Sequence, residues 1–266
     1  MKAFSYHIVT SSPWPVTTTI SLFSFLLSIV TYLQGKLVYG YNLGSLLFFI
    51  SFLSLAISLT HWWKDVHFEA SYLGEHPTKV QTGLNIGFIL FIISEVLIFL
   101  TLFFAYFYNA LVPSIESGNL WPPVGIITLD YKAVPLLNTF ILLASGFTIT
   151  ASHNYLLAGH KFSKAFFYLL LTIILGAIFS YFQYFEYYNS FFTFSDSVFG
   201  SSFYFLTGVH GAHIIVGSLF LIVTALRFSY FTNTHHLLFS FSAIYWHLVD
   251  ALWIFIFFFL YFWPSF

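Results

Sequence analysis

Four stretches of this sequence place side chains able to carry a proton or hold an ion among apolar residues. FIISEVLIFL at 91–100 holds Glu95, with no Lys, Arg or His from residue 85 to 105. TGVHGAH at 207–213 holds His210 and His213, which share a helix face at i and i+3. YWHLVDALW at 245–253 holds His247 three residues before Asp250, the spacing of an intrahelical hydrogen-bonded pair. His153 stands alone in its stretch. Two His at i and i+3 could ligate a metal or a haem. A bis-histidine haem needs a second such pair on another helix, and no other span carries one. We therefore expect interhelical hydrogen bonding from His153, His210, His213, His247 and Asp250, with no metal site. There is no P-loop, no G-x-S-x-G and no H-E-x-x-H, so no catalytic residues are expected.

The setting of these residues follows from composition. Of 266 residues, 59% are hydrophobic and 6% charged. A water-soluble domain carries about a quarter charged residues, so the expectation is an all-α protein of the membrane. Net charge is near zero and no basic patch suggests nucleic acid. Cysteine is absent, which excludes disulfides and thiolate metal sites. Apolar runs long enough for about 30 Å of hydrocarbon predict seven spans, near 16–34, 43–61, 80–109, 134–157, 165–188, 199–227 and 238–263. They are read as one polytopic membrane domain, 1–266. WWKDVHFEASYLGEHPTK is read as the loop after the second span, its acids and His as an exposed mixed-charge cluster.

Lys2, Lys64, Lys79, Lys161, Lys164 and Arg227 fall in connections on the N-terminal side, and Lys36 and Lys132 on the other. That asymmetry puts the N-terminus on the cytoplasmic or matrix side. Trp14, Trp62, Trp63, Trp121 and Trp263 near span ends read as an aromatic belt. Gly83 with Gly87, and Gly208 with Ala212, have the small-x-x-x-small spacing of close helix packing. A carboxyl at mid-membrane must face a bundle interior, a cavity or a partner. For Glu95 this leaves three readings: a neutral acid bonded across helices, a member of a proton path, or the lining of a lipid cleft.

Specific strings add to this reading. SPWP at 12–15, WWKDV at 62–66, GLNIGFILFIISEV at 83–96, WPPVGI at 121–126 and VPLLNT at 134–139 occur in that order. EYY at 186–188, TGVHGAH and YWHLVDALW follow. Together they closely resemble the cytochrome c oxidase subunit III family over nearly the whole chain. The resemblance implies seven helices in a two-plus-five arrangement with a V-shaped cleft holding structural phospholipids: phosphatidylethanolamine, phosphatidylglycerol and cardiolipin. It implies a non-catalytic core subunit packed mainly against subunit I, with subunit II and accessory subunits as further partners, and with haem a and copper in the partner subunits. The location it implies is the mitochondrial inner membrane, with a bacterial plasma membrane as the alternative.

The resemblance also implies lipid contacts for Trp63, His76, Glu95, Arg227 and His235. A guanidinium such as Arg227 donates two parallel hydrogen bonds to a phosphate, which suits that role. The pattern is less basic than usual: Phe68 replaces a second arginine, Asn85 a basic residue, and Ser240 stands where relatives have Glu. A quinol oxidase subunit III is the alternative within the superfamily, although such chains commonly lack the first two helices. A proton-coupled transporter using Glu95, His210 and Asp250 is the alternative from another class.

Overall fold

A computed structural model describes residues 6–7, 9–38, 41–115, 118–159, 161–233 and 235–265. Lys2, counted above for orientation, lies outside the described residues. The described residues form helices α1 (Trp14–Val38), α2 (Tyr41–Ser71), α3 (Thr78–Leu111), α4 (Val134–Leu157), α5 (Phe162–Tyr188), α6 (Val198–Leu226) and α7 (Leu237–Ile256). Among them there is no β-strand. All seven helices are long and apolar enough to cross a membrane.

Two boundaries differ from the reading of the sequence. Helix α2 does not stop near 61 but continues through WWKDVHFEAS to Ser71. No Gly or Pro interrupts 45–73, and this stretch keeps its helical hydrogen bonds after its hydropathy has fallen. At 31 residues α2 is about 46 Å long, more than the hydrocarbon requires, and its polar last turns are the excess. At the other end of the chain, α7 passes into a π-helical turn at Phe257–Phe262.

The chain divides into two compact units, Met1–Ile86 and Gly87–Phe266. In the first unit α1 and α2 pair through small and hydroxyl side chains. Ser28 Oγ and Ser51 Oγ are 2.8 Å apart, and Phe25 packs on Phe48 and Phe52. A Cβ on Gly44 would stand 3.1 Å from the Tyr32 Cα, so the two backbones nearly touch. Trp14 stacks on His61 and its indole N–H donates to Asp65 Oδ2 at 2.5 Å, fixing the start of α1 to the extended end of α2.

The second unit has a true core. Three polar residues of α4 lie on its inner face: Asn138, Ser145 and Ser152 are fully buried. Ser152 Oγ donates to the Ala165 carbonyl at 2.6 Å, and Thr148 and Thr172 hydroxyls meet at 2.8 Å, so α4 and α5 are stitched together. Trp246 of α7 lies where α4, α5 and α6 converge. Its indole N–H donates to Ser145 Oγ at 2.9 Å. Its ring occupies the space left by two absent side chains: a Cβ on Gly176 would be 2.7 Å from Cη2, and one on Gly217 3.1 Å from Cε3.

Close approaches within the chain thus occur at Gly44, Gly146, Gly176, Gly200 and Gly217, and not at Gly83, Gly87 or Gly208. A Cβ on Gly83, Gly87 or Gly208 would meet nothing within 4 Å among the described residues. Two belt tryptophans are also structural. Trp121 packs edge-on to Tyr106 and Phe199, and Trp263 lies against Phe107.

Candidate polar site within the second unit

Glu95 stands about midway along α3, and Ile98, Leu97 and Phe91 around it are exposed. Its partner comes from α6. Glu95 Oε2 is 2.6 Å from His213 Nε2, with both side chains about 15% exposed. The acid that looks isolated along the chain is therefore paired across helices, by a residue 118 positions away.

The other imidazole nitrogen decides where the proton of this pair can sit. His213 Nδ1 is 2.7 Å from the Val209 carbonyl oxygen, which can only accept, so Nδ1 carries a hydrogen. The contact with Glu95 then holds one proton. If the proton is on oxygen, a neutral acid donates to Nε2. If it is on nitrogen, an imidazolium donates to a carboxylate. Both arrangements are neutral overall, which suits a largely buried site midway along an apolar helix. Phe99 closes the pair edge-on to the His213 ring, and Tyr245 stacks on its far side.

The remaining polar residues of the spans do not join this pair. His210 is fully buried, and its Nε2–H donates to the Val249 carbonyl at 3.2 Å across the α6–α7 contact. The two His that share a face therefore serve different neighbours. Among the described residues no three His, Asp or Glu side chains converge as a metal site would require. His247 Nε2 and the Thr150 hydroxyl are 3.2 Å apart, joining α7 to α4. His247 Nδ1 is 4.0 Å from Asp250 Oδ2, too far for a hydrogen bond. His153 lies against Phe239 and edge-on to His236.

One buried acid was not singled out from the sequence. Glu186 of α5 is 4% exposed and accepts a hydrogen bond from the Tyr261 hydroxyl at 2.5 Å, while Gln183 Nε2 reaches both groups. The signal was available in Gln183 and Glu186 at i and i+3 near the end of an apolar run.

The residues assigned to lipid by resemblance stand in separate places. In the first unit, Trp63 is 63% exposed. His76 lies in the turn before α3, and its carbonyl accepts from Gln81 Nε2. His7, also missed in the sequence, folds onto this end of the unit. Its Nε2 is 3.2 Å from Glu69 Oε2, its Nδ1 3.5 Å from Glu75 Oε2, and its ring adjoins His76. The mixed-charge cluster read as an exposed loop is thus partly helical and tied to the chain's start. Burial lowers the pKa of His76 below the usual 6.5. His7 adds to this, and Glu69 and Glu75 oppose it.

In the second unit, Arg227 is the C-cap of α6. Burial holds its pKa below its ordinary value, with Tyr230 acting in the opposite sense. His235 closes the turn before α7: its N–H donates to Thr232 Oγ1, and its carbonyl accepts from Thr232 N–H. Phe68 is half exposed and stacks on Tyr72.

Comparison with known proteins bears on the whole of this architecture. The sequence profile described as cytochrome c oxidase subunit III matches residues 4–265. A cytochrome c oxidase subunit 3 from Rhizopus stolonifer is 44% identical over 267 residues, covering 99% of this chain and 92% of that protein. The subunit 3 of Podospora anserina is 43% identical over 262 residues, covering 98% and 95%. That of Triticum aestivum is 42% identical over 261 residues, covering 97% and 96%. A match from end to end, at this identity, leaves no segment of the fold outside the comparison: the chain belongs to the cytochrome c oxidase subunit III family.

Proposed function

We propose that this chain is a core subunit, without catalytic residues of its own, of the respiratory complex that oxidises cytochrome c, reduces oxygen to water and pumps protons. It binds structural phospholipid, stabilises subunit I and sustains its turnover, while haem a and copper reside in the partner subunits. Its place is the mitochondrial inner membrane, with the N-terminus on the matrix side. The observation that carries this reading is the family match running unbroken from residue 4 to residue 265. The pairing of Glu95 with His213 supports a structural role, because it completes the hydrogen bonding of an intramembrane acid inside the chain.

The polar and basic residues at helix ends suit the lipid role. Arg227 supplies a planar donor for a phosphate, and Trp63 an amphipathic ring of the kind that settles at headgroup level. The test is native mass spectrometry of the detergent-solubilised complex, with haem and copper determined on the same sample. The expected result is this chain in stoichiometric amount with subunits I and II, haem a, copper and retained phospholipid. Stoichiometric metal on the isolated polypeptide would overturn the proposal.

A further inference from the structure

Asp250 is a buried acid of the second unit for which neither oxygen takes part in a hydrogen bond among the described residues. It is 7% exposed, and its Oδ1 has no hydrogen-bond partner among the described residues. Its Oδ2 lies over Gly146, where a Cβ would be only 2.5 Å away, so the missing side chain of α4 makes the room it occupies. Glu95 and Glu186 each meet a donor or acceptor on another helix. Asp250 meets only His247, at 4.0 Å.

The tautomer of His247 explains the gap. The Thr150 hydroxyl donates to the Gly146 carbonyl at 2.9 Å, so it accepts from His247 Nε2–H. A neutral imidazole protonated at Nε2 turns a lone pair on Nδ1 towards Asp250 Oδ2. Across 4.0 Å no hydrogen bond joins Nδ1 to Oδ2, so each keeps a lone pair unserved within the chain. His247 is also 47% exposed on its side chain. It lies ten residues into α7, and Asp250 about 20 Å from Leu237 along the helix. A lipid headgroup does not reach that depth, and acyl chains bring no donor.

We propose that the face of α4 and α7 around His247 receives a transmembrane helix of another subunit, which presents an N–H or O–H donor to the Asp250–His247 pair. This rests on the chain being an oxidase subunit, as proposed above. The surface fits a helix. Ala251 is exposed one turn after His247 on the same face of α7, so a backbone can come close there. Phe147, Ile244 and Ile254, 77%, 48% and 47% exposed, border them with apolar surface. An acid beside an imidazole lone pair selects an amide, a hydroxyl or a cation and rejects a second acid.

The absence of cysteine makes the test direct. Ala251→Cys gives the chain a single thiol, which a membrane-permeant maleimide–diazirine labels in intact membranes before the oxidase is purified and irradiated. The expected adduct joins this chain to a transmembrane peptide of another subunit with a Ser, Thr, Asn, Gln, Tyr, Trp, Lys or Arg within one turn of the cross-link. Adducts confined to lipid, or to a peptide without such a donor, overturn the inference and leave the subunit assignment intact. Failure of the chain to co-purify with haem a and copper removes both. As a second measurement, Asp250→Leu should lower retention of this chain on the complex several-fold through a detergent wash, and Asp250→Asn should not. Full retention of Asp250→Leu overturns the proposal.

Discussion

The most apolar stretches of the first and last spans have almost the same mean hydropathy, yet 6% of the one and 50% of the other are buried within the chain. In water that difference would be impossible, because apolar surface drives its own burial. In hydrocarbon it is allowed, since a lipid tail is as good a neighbour as a leucine. Helix α7 is buried because it carries Trp246 and Trp253 opposite glycine and hydroxyl residues of α4, α5 and α6. Among the described residues the α1–α2 pair is joined by a serine contact, a glycine contact, a few rings and the Trp14–Asp65 hydrogen bond. Shape and hydrogen bonding, not hydropathy, separate the two regions.

The comparison breaks first at Trp246. Trp246→Ala should cost about 3–5 kcal/mol in the second unit, and Gly176→Ala about 1–3 kcal/mol, because the indole is too rigid to yield. Gly83→Ala, which meets open space, should be nearly silent. Denaturant titration of the purified subunit in mixed micelles would rank the three, and equal effects would erase the distinction between the regions.

Next comes the Glu95–His213 pair. Glu95→Ala leaves the His213 Nε2 without its partner and should cost about 1–3 kcal/mol. Glu95→Gln keeps a hydrogen bond and should leave assembly and proton pumping close to wild type. Infrared difference spectra of wild type against Glu95→Gln report which atom holds the shared proton. Loss of pumping in Glu95→Gln would make the pair part of a proton path.

A smaller effect is expected in the first unit. Ser28→Ala removes a single interhelical hydroxyl contact, worth about 0.6 kcal/mol in a membrane interior. Inter-helix distance measurements on the α1–α2 pair would detect its separation.

The smallest is a pH dependence at the turn before α3. His76 has a folded pKa below 6.5, so its contribution to stability is present above 6.5 and lost as pH falls through the folded value. Hydrogen exchange at residues 72–77 should quicken over that window, and His76→Gln should flatten the response. An unchanged profile in the variant would overturn the assignment to His76.

The seven spans were legible in the sequence because length and apolarity alone decide what can cross a bilayer. The overrun of α2 was not, because WWKDVHFEAS is polar and hydropathy says nothing about a helix that leaves the membrane. Its lack of Gly and Pro was the usable signal. The i, i+3 spacing of His247 and Asp250 was visible, but not that Thr150 would fix the tautomer and leave the acid unserved. Glu95 was conspicuous, while its partner was hidden by a loop closure of more than a hundred residues. The glycines of the spaced pairs meet no neighbour among the described residues, since spacing describes one helix and packing requires the shape of the other. A bulky ring opposite Gly176 and Gly217 is a tertiary fact.

The shared proton of Glu95 and His213 has an electrical consequence. Its two positions differ by no more than the 2.6 Å between Oε2 and Nε2. A full crossing of about 30 Å of hydrocarbon at 100 mV is worth about 2.3 kcal/mol per charge, so this displacement senses about 0.2 kcal/mol or less. A respiring membrane can therefore charge and discharge with almost no work done on the pair, and its hydrogen bond stays the same through every change of voltage.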